Sequence, residues 1–226
     1  MQLALMGVFG LDVAGTAAVL PLSAQRLLAF LALAHKPLSR LYVAGHLWGD
    51  AADERAAASL RSALWRVRQA GEIVRVDERT LELSPGVEVD IDGALARARR
   101  ISDAAIPLGV DDVQALCRTD DILPDWYDEP WLELERECFR KRRLGALERA
   151  CERLVAENRL SEALEAGLAA VSADPLRESA HRVLIRMHLA EGNAAEAVRQ
   201  FRVWERLSEV ALGLAPSAQL RALVGG

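Results

Sequence analysis

Between Arg55 and Gly71 the sequence places four arginines, Arg55, Arg61, Arg66 and Arg68, and no acidic residue. A guanidinium fork pairs with the O6 and N7 edge of guanine, and arginines also neutralise phosphates, so nucleic-acid chemistry is open to this run. Advancing about 100° per residue from Leu60 sets Ala57, Leu64 and Val67 beside it as one inner stripe. The outer face then carries Arg55, Ala58, Ser59, Ser62, Trp65, Arg66 and Gln69, where a helix in a major groove would meet base edges. Arg61 and Arg68 project from the flanks, closer to where phosphates would run. Arg79 is placed at the tip of a following hairpin, within reach of an adjacent minor groove or backbone. Trp65, opposite the apolar stripe, has no core to enter and either lies against the preceding loop or meets a partner. In isolation such arginines could simply solvate an amphipathic helix; the order of the surrounding elements argues against that.

Other chemistries find little support. No G-x-x-x-x-G-K-[ST] loop occurs, and Gly7, Gly10 and Gly15 have the wrong spacing for G-x-G-x-x-G. His181 and His188 stand seven apart on one helix face but lack the close His or Cys pairing of metal motifs, so they are expected to be partly exposed polar positions. Cys138 and Cys151 are expected as buried small apolar residues rather than nucleophiles. Asp111-Asp112 and Asp120-Asp121 flank turns and read as caps and solvated loops. No cofactor, metal or enzymatic activity is expected.

The elements that must position the arginines follow from the pattern around them. Leu3, Leu5, Val8, Phe9, Leu11 and Val13, separated by glycines, read as strands, and Val19 to Leu22 as a further short one. Ser23 would cap a buried helix from Ala24 to Ala34, which Pro37 ends. A shorter helix runs from Leu41 to Leu47 after Ser39, then the arginine helix from Asp53 to Gln69 with Gly71 as its stop. Ile73 to Val76 and Leu81 to Leu83 form a hairpin. Helix, helix, helix, hairpin is the order of a winged helix-turn-helix, and an α+β domain is expected over residues 1–92.

After Val89-Asp90-Ile91-Asp92 strand signals vanish, and residues 93–226 read as an all-α, tetratricopeptide-like domain. Helices are expected over 95–101, 110–118, 132–157, 160–172, 176–191 and 194–211. Ala156-Glu157-Asn158 followed by Glu162-Ala163 recurs as Ala190-Glu191-Gly192 followed by Glu196-Ala197, an offset of 34 residues. Ala163, Ala170 and Pro175 fit the small-residue and proline positions of such a hairpin. The second copy keeps Gly192, Ala197 and Phe201 but has Glu209 where proline would stand. Asn158 and Gly192 serve the turns between helices.

Several strings, in their order and spacing, resemble the Streptomyces antibiotic regulatory proteins, in which a bacterial transcriptional activator domain follows an OmpR-like winged helix. In the first part they are Gln25-Arg26-Leu27-Leu28-Ala29, Leu47-Trp48-Gly49-Asp50, Ser59-Leu60 and Leu64-Trp65-Arg66-Val67-Arg68. In the second they are Leu123-Pro124-Asp125, Asp128-Glu129-Pro130-Trp131, Glu133 to Glu137, Asp174-Pro175-Leu176-Arg177-Glu178, and the ending Leu212 to Ser217 with Leu220-Arg221-Ala222-Leu223. The resemblance implies a cytoplasmic, nucleoid-associated regulator that binds direct-repeat promoter DNA, often as a side-by-side homodimer, and helps recruit RNA polymerase. It maps the recognition helix onto Asp53 to Gln69 and the wing onto Ile73 to Leu83. Ala24 replaces a basic residue common before the Gln-Arg pair, removing one phosphate contact. The sequence ends at Gly226 without the nucleotide-binding domain of larger members, so ATP control is not expected.

The overall balance, 28 basic against 33 acidic residues in 226 and a net charge of −5, argues against a uniformly basic coat. Up to Asp90, however, nine basic residues face ten acidic ones, and the positive charge gathers on one helix. Three cysteines without a C-x-x-C pair fit a reducing compartment. The alternative to a DNA-binding regulator is a helical-repeat adaptor whose winged helix no longer reads DNA.

Overall fold

The computed structural model describes residues 1–225. Alternating apolar residues pair β1 (Gln2–Ala4) with β2 (Gly10–Val13) antiparallel, Leu3 opposite Leu11, and β3 (Thr16–Ala17) continues the sheet. The third strand therefore precedes the expected Val19–Leu22 run: Val19 is almost fully exposed, and Leu22 already opens α1 (Leu22–Ala34). Leu27, Leu28, Ala29 and Leu31 bury α1 on nearly all sides. After β4 (Leu38–Ser39), the Ser39 hydroxyl accepts from Tyr42 N at 3.1 Å and caps α2 (Arg40–Leu47). Then follow α3 (Asp53–Ala70), β5 (Val74–Val76) and β6 (Thr80–Leu83), with a second sheet in the order β4-β6-β5. Helices α1 and α2 both pack on α3, and α1 also covers β6.

Two features complete this first unit. β7 (Glu88–Val89) pairs parallel to β1, giving the order β3-β2-β1-β7. Next to it the Asp90 carboxylate accepts the N–H groups of Leu5 and Met6 at 2.9–3.0 Å, tying the chain's first strand to the start of the following helix. Residues 120–137 also belong to this unit. Gly7 N donates to Asp121 O and Leu123 N to Leu5 O, so the segment extends the strand pairing, while Arg26 forms an ion pair with the buried Glu129. Trp131 packs edge-on to Phe30 at 5.1 Å.

The second unit comprises residues 94–119 and 138–226, of which the last is not described. Its elements are α4 (Asp90–Ser102), α5 (Val110–Cys117), α6 (Pro130–Ala156), α7 (Leu160–Ala173), α8 (Glu178–Ala190), α9 (Ala194–Leu212) and α10 (Ala218–Val224), the first and third of which begin in the other unit. Small residues Ala163, Ala166, Gly167 and Ala170 line α7 where it meets α8. A Cβ at Gly167 would stand 3.0 Å from the Leu184 side chain, which would have to give by a few tenths of an ångström, so glycine eases this approach. The 34-residue repeat extends to the backbone. Asn158 and Gly192 both adopt the left-handed region, and Asn158 N to Val155 O and Arg159 N to Leu154 O recur as Gly192 N to Leu189 O and Asn193 N to His188 O. Leu220 of α10 closes a small core with Ile185, Ala197 and Trp204.

Among the described residues no helix is long and apolar enough to cross a membrane, and no group of three metal-ligating side chains converges. His181 departs from the partly exposed position expected of it. It is fully buried, donating from Nε2 to Pro175 O at 2.9 Å and accepting from Gln200 Nε2 at Nδ1. Cys151 is buried, and burial pushes its thiol up to about 12, away from thiolate chemistry. Cys138, expected to be buried, is exposed, because it lies on the outer side of α6.

Candidate nucleic-acid interface

Helix α3 forms because a long run of good helix formers carries apolar residues at helical spacing, with Asp53 and Glu54 in the first turn and Arg68 in the last, as the helix dipole favours. Its buried residues are Ala56, Leu60, Ala63 and Val67, while Ala57 and Leu64 are half-buried. The inner stripe is thus turned by about 50° around the axis from the Ala57–Leu60–Leu64–Val67 face that the apolar spacing suggested. Alanine is small enough to sit on either border, so the side chains alone do not choose. The rotation brings Arg61 and Arg68 to one border of the outer face, sets Trp65 near its middle and moves Arg66 toward the opposite border. Ser59 moves the other way and is half-buried, a departure from its expected place among the outward residues.

Arg55, Arg61, Ser62, Trp65, Arg66, Arg68 and Gln69 are all exposed. Trp65 remains 54% exposed, and the guanidinium carbon of Arg66 lies 4.8 Å from the centre of its ring. A cation over an indole face is held in place without losing its outward donors, so Arg66 is partly pre-organised. None of the four arginines on α3 forms an ion pair among the described residues.

The hairpin tip is more mixed than a lone Arg79 suggests. Asp77 N donates to Thr80 O at 3.0 Å to close the turn, and Asp77 and Glu78 stand exposed beside Arg79. Arg79 is itself exposed, and its carbonyl accepts from Arg40 N at 3.0 Å, which joins the wing to the start of α2.

Two further cations escaped the sequence reading. An open groove of about 610 Å³ between α3 and the wing is lined by Arg40, Arg61, Arg68 and Arg75, with Trp65 and Val76 among its apolar walls. Arg75 pairs across the strands with Glu82 at 2.9 Å, which leaves it half-neutralised. The signal for Arg75 was its exposed place in a wing strand; for Arg40, only the tertiary approach of α2 to α3 reveals it.

Comparison with known proteins bears on this arrangement. The family described as the bacterial transcriptional activator domain matches residues 85–225. Among solved structures, Mycobacterium tuberculosis EmbR in complex with a low-affinity phosphopeptide is similar with a TM-score of 0.80 and 19% identity, over 99% of this chain and 64% of that one. At that identity the likeness is one of fold, and it spans an N-terminal winged-helix region and the helical region after it; this chain spans just under two thirds of the EmbR length. No curated protein sequence matches. The family match extends over more than half of the sequence, so the chain belongs to the bacterial transcriptional activator domain family of SARP-type regulators.

Proposed function

We propose that this chain is a sequence-selective DNA-binding regulator. Residues 1–92 place α3 in a major groove of promoter DNA, and residues 93–226 contact RNA polymerase and pair two copies side by side on direct repeats. In this reading Arg55, Ser62, Trp65, Arg66 and Gln69 face base edges, with Ser59 at the border. Arg61, Arg68 and Arg79 meet phosphates, joined by Arg40 and Arg75. The protein acts in the cytoplasm, on the nucleoid when bound to DNA.

The observation that carries this reading is a helix face with four exposed arginines, none paired to a carboxylate among the described residues, in a protein whose net charge is −5. Unpaired guanidiniums concentrated on one face of an acidic protein repel one another, and a phosphate backbone relieves that repulsion by releasing its counterions. The test is selection of bound fragments from the source genome at increasing salt. A sequence-selective set whose affinity falls steeply with salt supports the reading. Capture of a protein through residues 94–226 with no salt-sensitive preference for any fragment replaces it with the adaptor reading.

A further inference from the structure

The second helical hairpin carries a surface that its sibling in the repeat lacks. On α9, Ala195, Arg199, Arg202, Arg206 and Val210 recur at helical spacing along the side opposite the buried Ala197, Trp204 and Ser208, and all five are exposed. Arg199 turns to Glu196 at 2.5 Å, but among the described residues Arg202 and Arg206 meet no carboxylate. A shallow hollow of about 600 Å³ lies between these guanidiniums, Ala194, Ala195 and Val198. The C-terminal end is apolar, with Val210 88%, Leu212 48% and Leu214 56% exposed.

The 34-residue repeat supplies an internal control. The positions equivalent to Arg199, Arg202 and Arg206 on α7 are Glu165, Leu168 and Ser172, equally exposed and without a cation. The hairpin fold therefore does not require arginine there, and the stripe is surplus to packing. We infer that the outward face of α9 docks an acidic, amphipathic helical segment of a partner protein. Carboxylates at i, i+3 and i+7 of that segment would face the three guanidiniums, and an apolar residue beyond them would cover Val210 and Leu214. Exposed ion pairs contribute little singly, so the apolar end is what makes such a contact selective. It also favours protein over nucleic acid, because a phosphate backbone offers nothing to the exposed Val210 and Leu214. The inference stands apart from the DNA-binding reading, because it rests on α9 alone.

The probe is a fluorescent helical peptide of about 16 residues, long enough to span the stripe at about 1.5 Å per residue. It carries glutamates at i, i+3 and i+7 and leucine at i+11; a scrambled peptide of the same composition and an unrelated DNA duplex are the competitors. The full chain should bind the patterned peptide more tightly than the scrambled one. The double variant Arg202→Glu/Arg206→Glu should weaken binding about tenfold, and Val210→Asp several-fold, while Glu165→Arg on α7 leaves it unchanged. Arg202→Gln/Arg206→Gln, which reverses no charge, should give a smaller loss with unaltered thermal unfolding. Equal binding of the scrambled peptide, an unchanged affinity in the arginine variants, or displacement of the peptide by the duplex would each overturn the assignment.

Discussion

On α3 the arginines Arg55, Arg61, Arg66 and Arg68 stand exposed and, among the described residues, without an ion pair, whereas in the helical unit Arg100, Arg140, Arg159 and Arg177 each close onto a carboxylate at 2.5–3.1 Å. Arg143 and Arg153 also donate to backbone carbonyls, those of Leu116 and Cys117 at the end of α5 and of Ile101 and Asp103 at the end of α4. The same side chain thus serves two ends. In the helical unit it satisfies acceptors and joins helices; on α3 it is left with donors to spare, and removing it should cost the fold nothing. Arg202 and Arg206 are instructive because they sit in the helical unit yet follow the α3 pattern.

The largest effect that tests this contrast is at Glu148. Its carboxylate, 13% exposed, accepts from Arg177 at 2.7 and 3.1 Å and from the Ser179 hydroxyl at 2.6 Å. Glu148→Ala leaves a half-buried guanidinium and a hydroxyl without their acceptor, and should cost about 3 kcal/mol of stability in urea unfolding. Affinity for DNA, measured where the variant is still folded, should not change. Equal losses of stability and of DNA affinity would show that the two sets of arginines are not separate in function.

The reverse case is Arg66→Ala. Stability should move by less than about 0.5 kcal/mol, as for other exposed positions without partners. Selectivity at one base position should fall by about 2 kcal/mol if the guanidinium forks onto a guanine. Arg68→Ala should weaken binding to all sequences alike and lower the salt slope by about 1. A wild-type selection profile in Arg66→Ala would take that residue out of the reading set.

How much of this was legible beforehand depended on whether the determinant was local. Helix α3, the hairpin and the 34-residue repeat were readable because charge and periodicity are written in adjacent residues, whereas Ser23, expected as the cap of α1, lies inside a helix that starts after Pro21 without a side-chain cap. The rotation of α3 was not, because Ala56 and Ala57, or Ala63 and Leu64, serve an apolar border nearly equally well until α1 and α2 pack against it. β7 escaped because it has only two residues and depends on a strand 86 positions earlier, Gln2 pairing with Glu88. The return of residues 120–137 to the first unit rests on Leu123 reaching Leu5 and Glu129 reaching Arg26, contacts with no periodic signature. Helix α10, seven residues long, was too short to show a pattern. Of the interface residues, Arg40 and Arg75 were hidden for the same reason, since only the tertiary groove makes them neighbours of Arg61 and Arg68.

A backbone substitution in the helical unit sharpens the contrast at smaller scale. Gly192 has φ of 80° and open space where a methyl group would stand, so Gly192→Ala meets no clash and its cost, about 1 kcal/mol, is the left-handed conformation alone. Asn158 holds the equivalent turn at φ of 58° and already bears a side chain, so Asn158→Gly should change stability by only a few tenths of a kcal/mol. Both should leave DNA binding untouched, as measured by parallel unfolding and binding curves.

The smallest effect is confined to mild acid and separates the units by their histidines. His35 and His46 of the first unit are exposed, whereas burial holds the His181 imidazole below its ordinary value of 6.5. Folded protein therefore keeps His181 neutral, donating to Pro175 O and accepting from Gln200, at a pH where the unfolded chain already takes up the proton. The unfolded state then binds more protons, so stability is level above about pH 6.5 and declines as the pH falls below it. Protonation would also turn Nδ1 from an acceptor into a donor facing the Gln200 amide nitrogen, loosening the contact between α8 and α9. Unfolding midpoints between about pH 7.5 and 5 should fall in the wild type and flatten in His181→Asn, which has no proton to gain in that range. A slope that persists unchanged in the variant would assign the acid sensitivity to another group and leave the packing of α8 on α9 independent of pH.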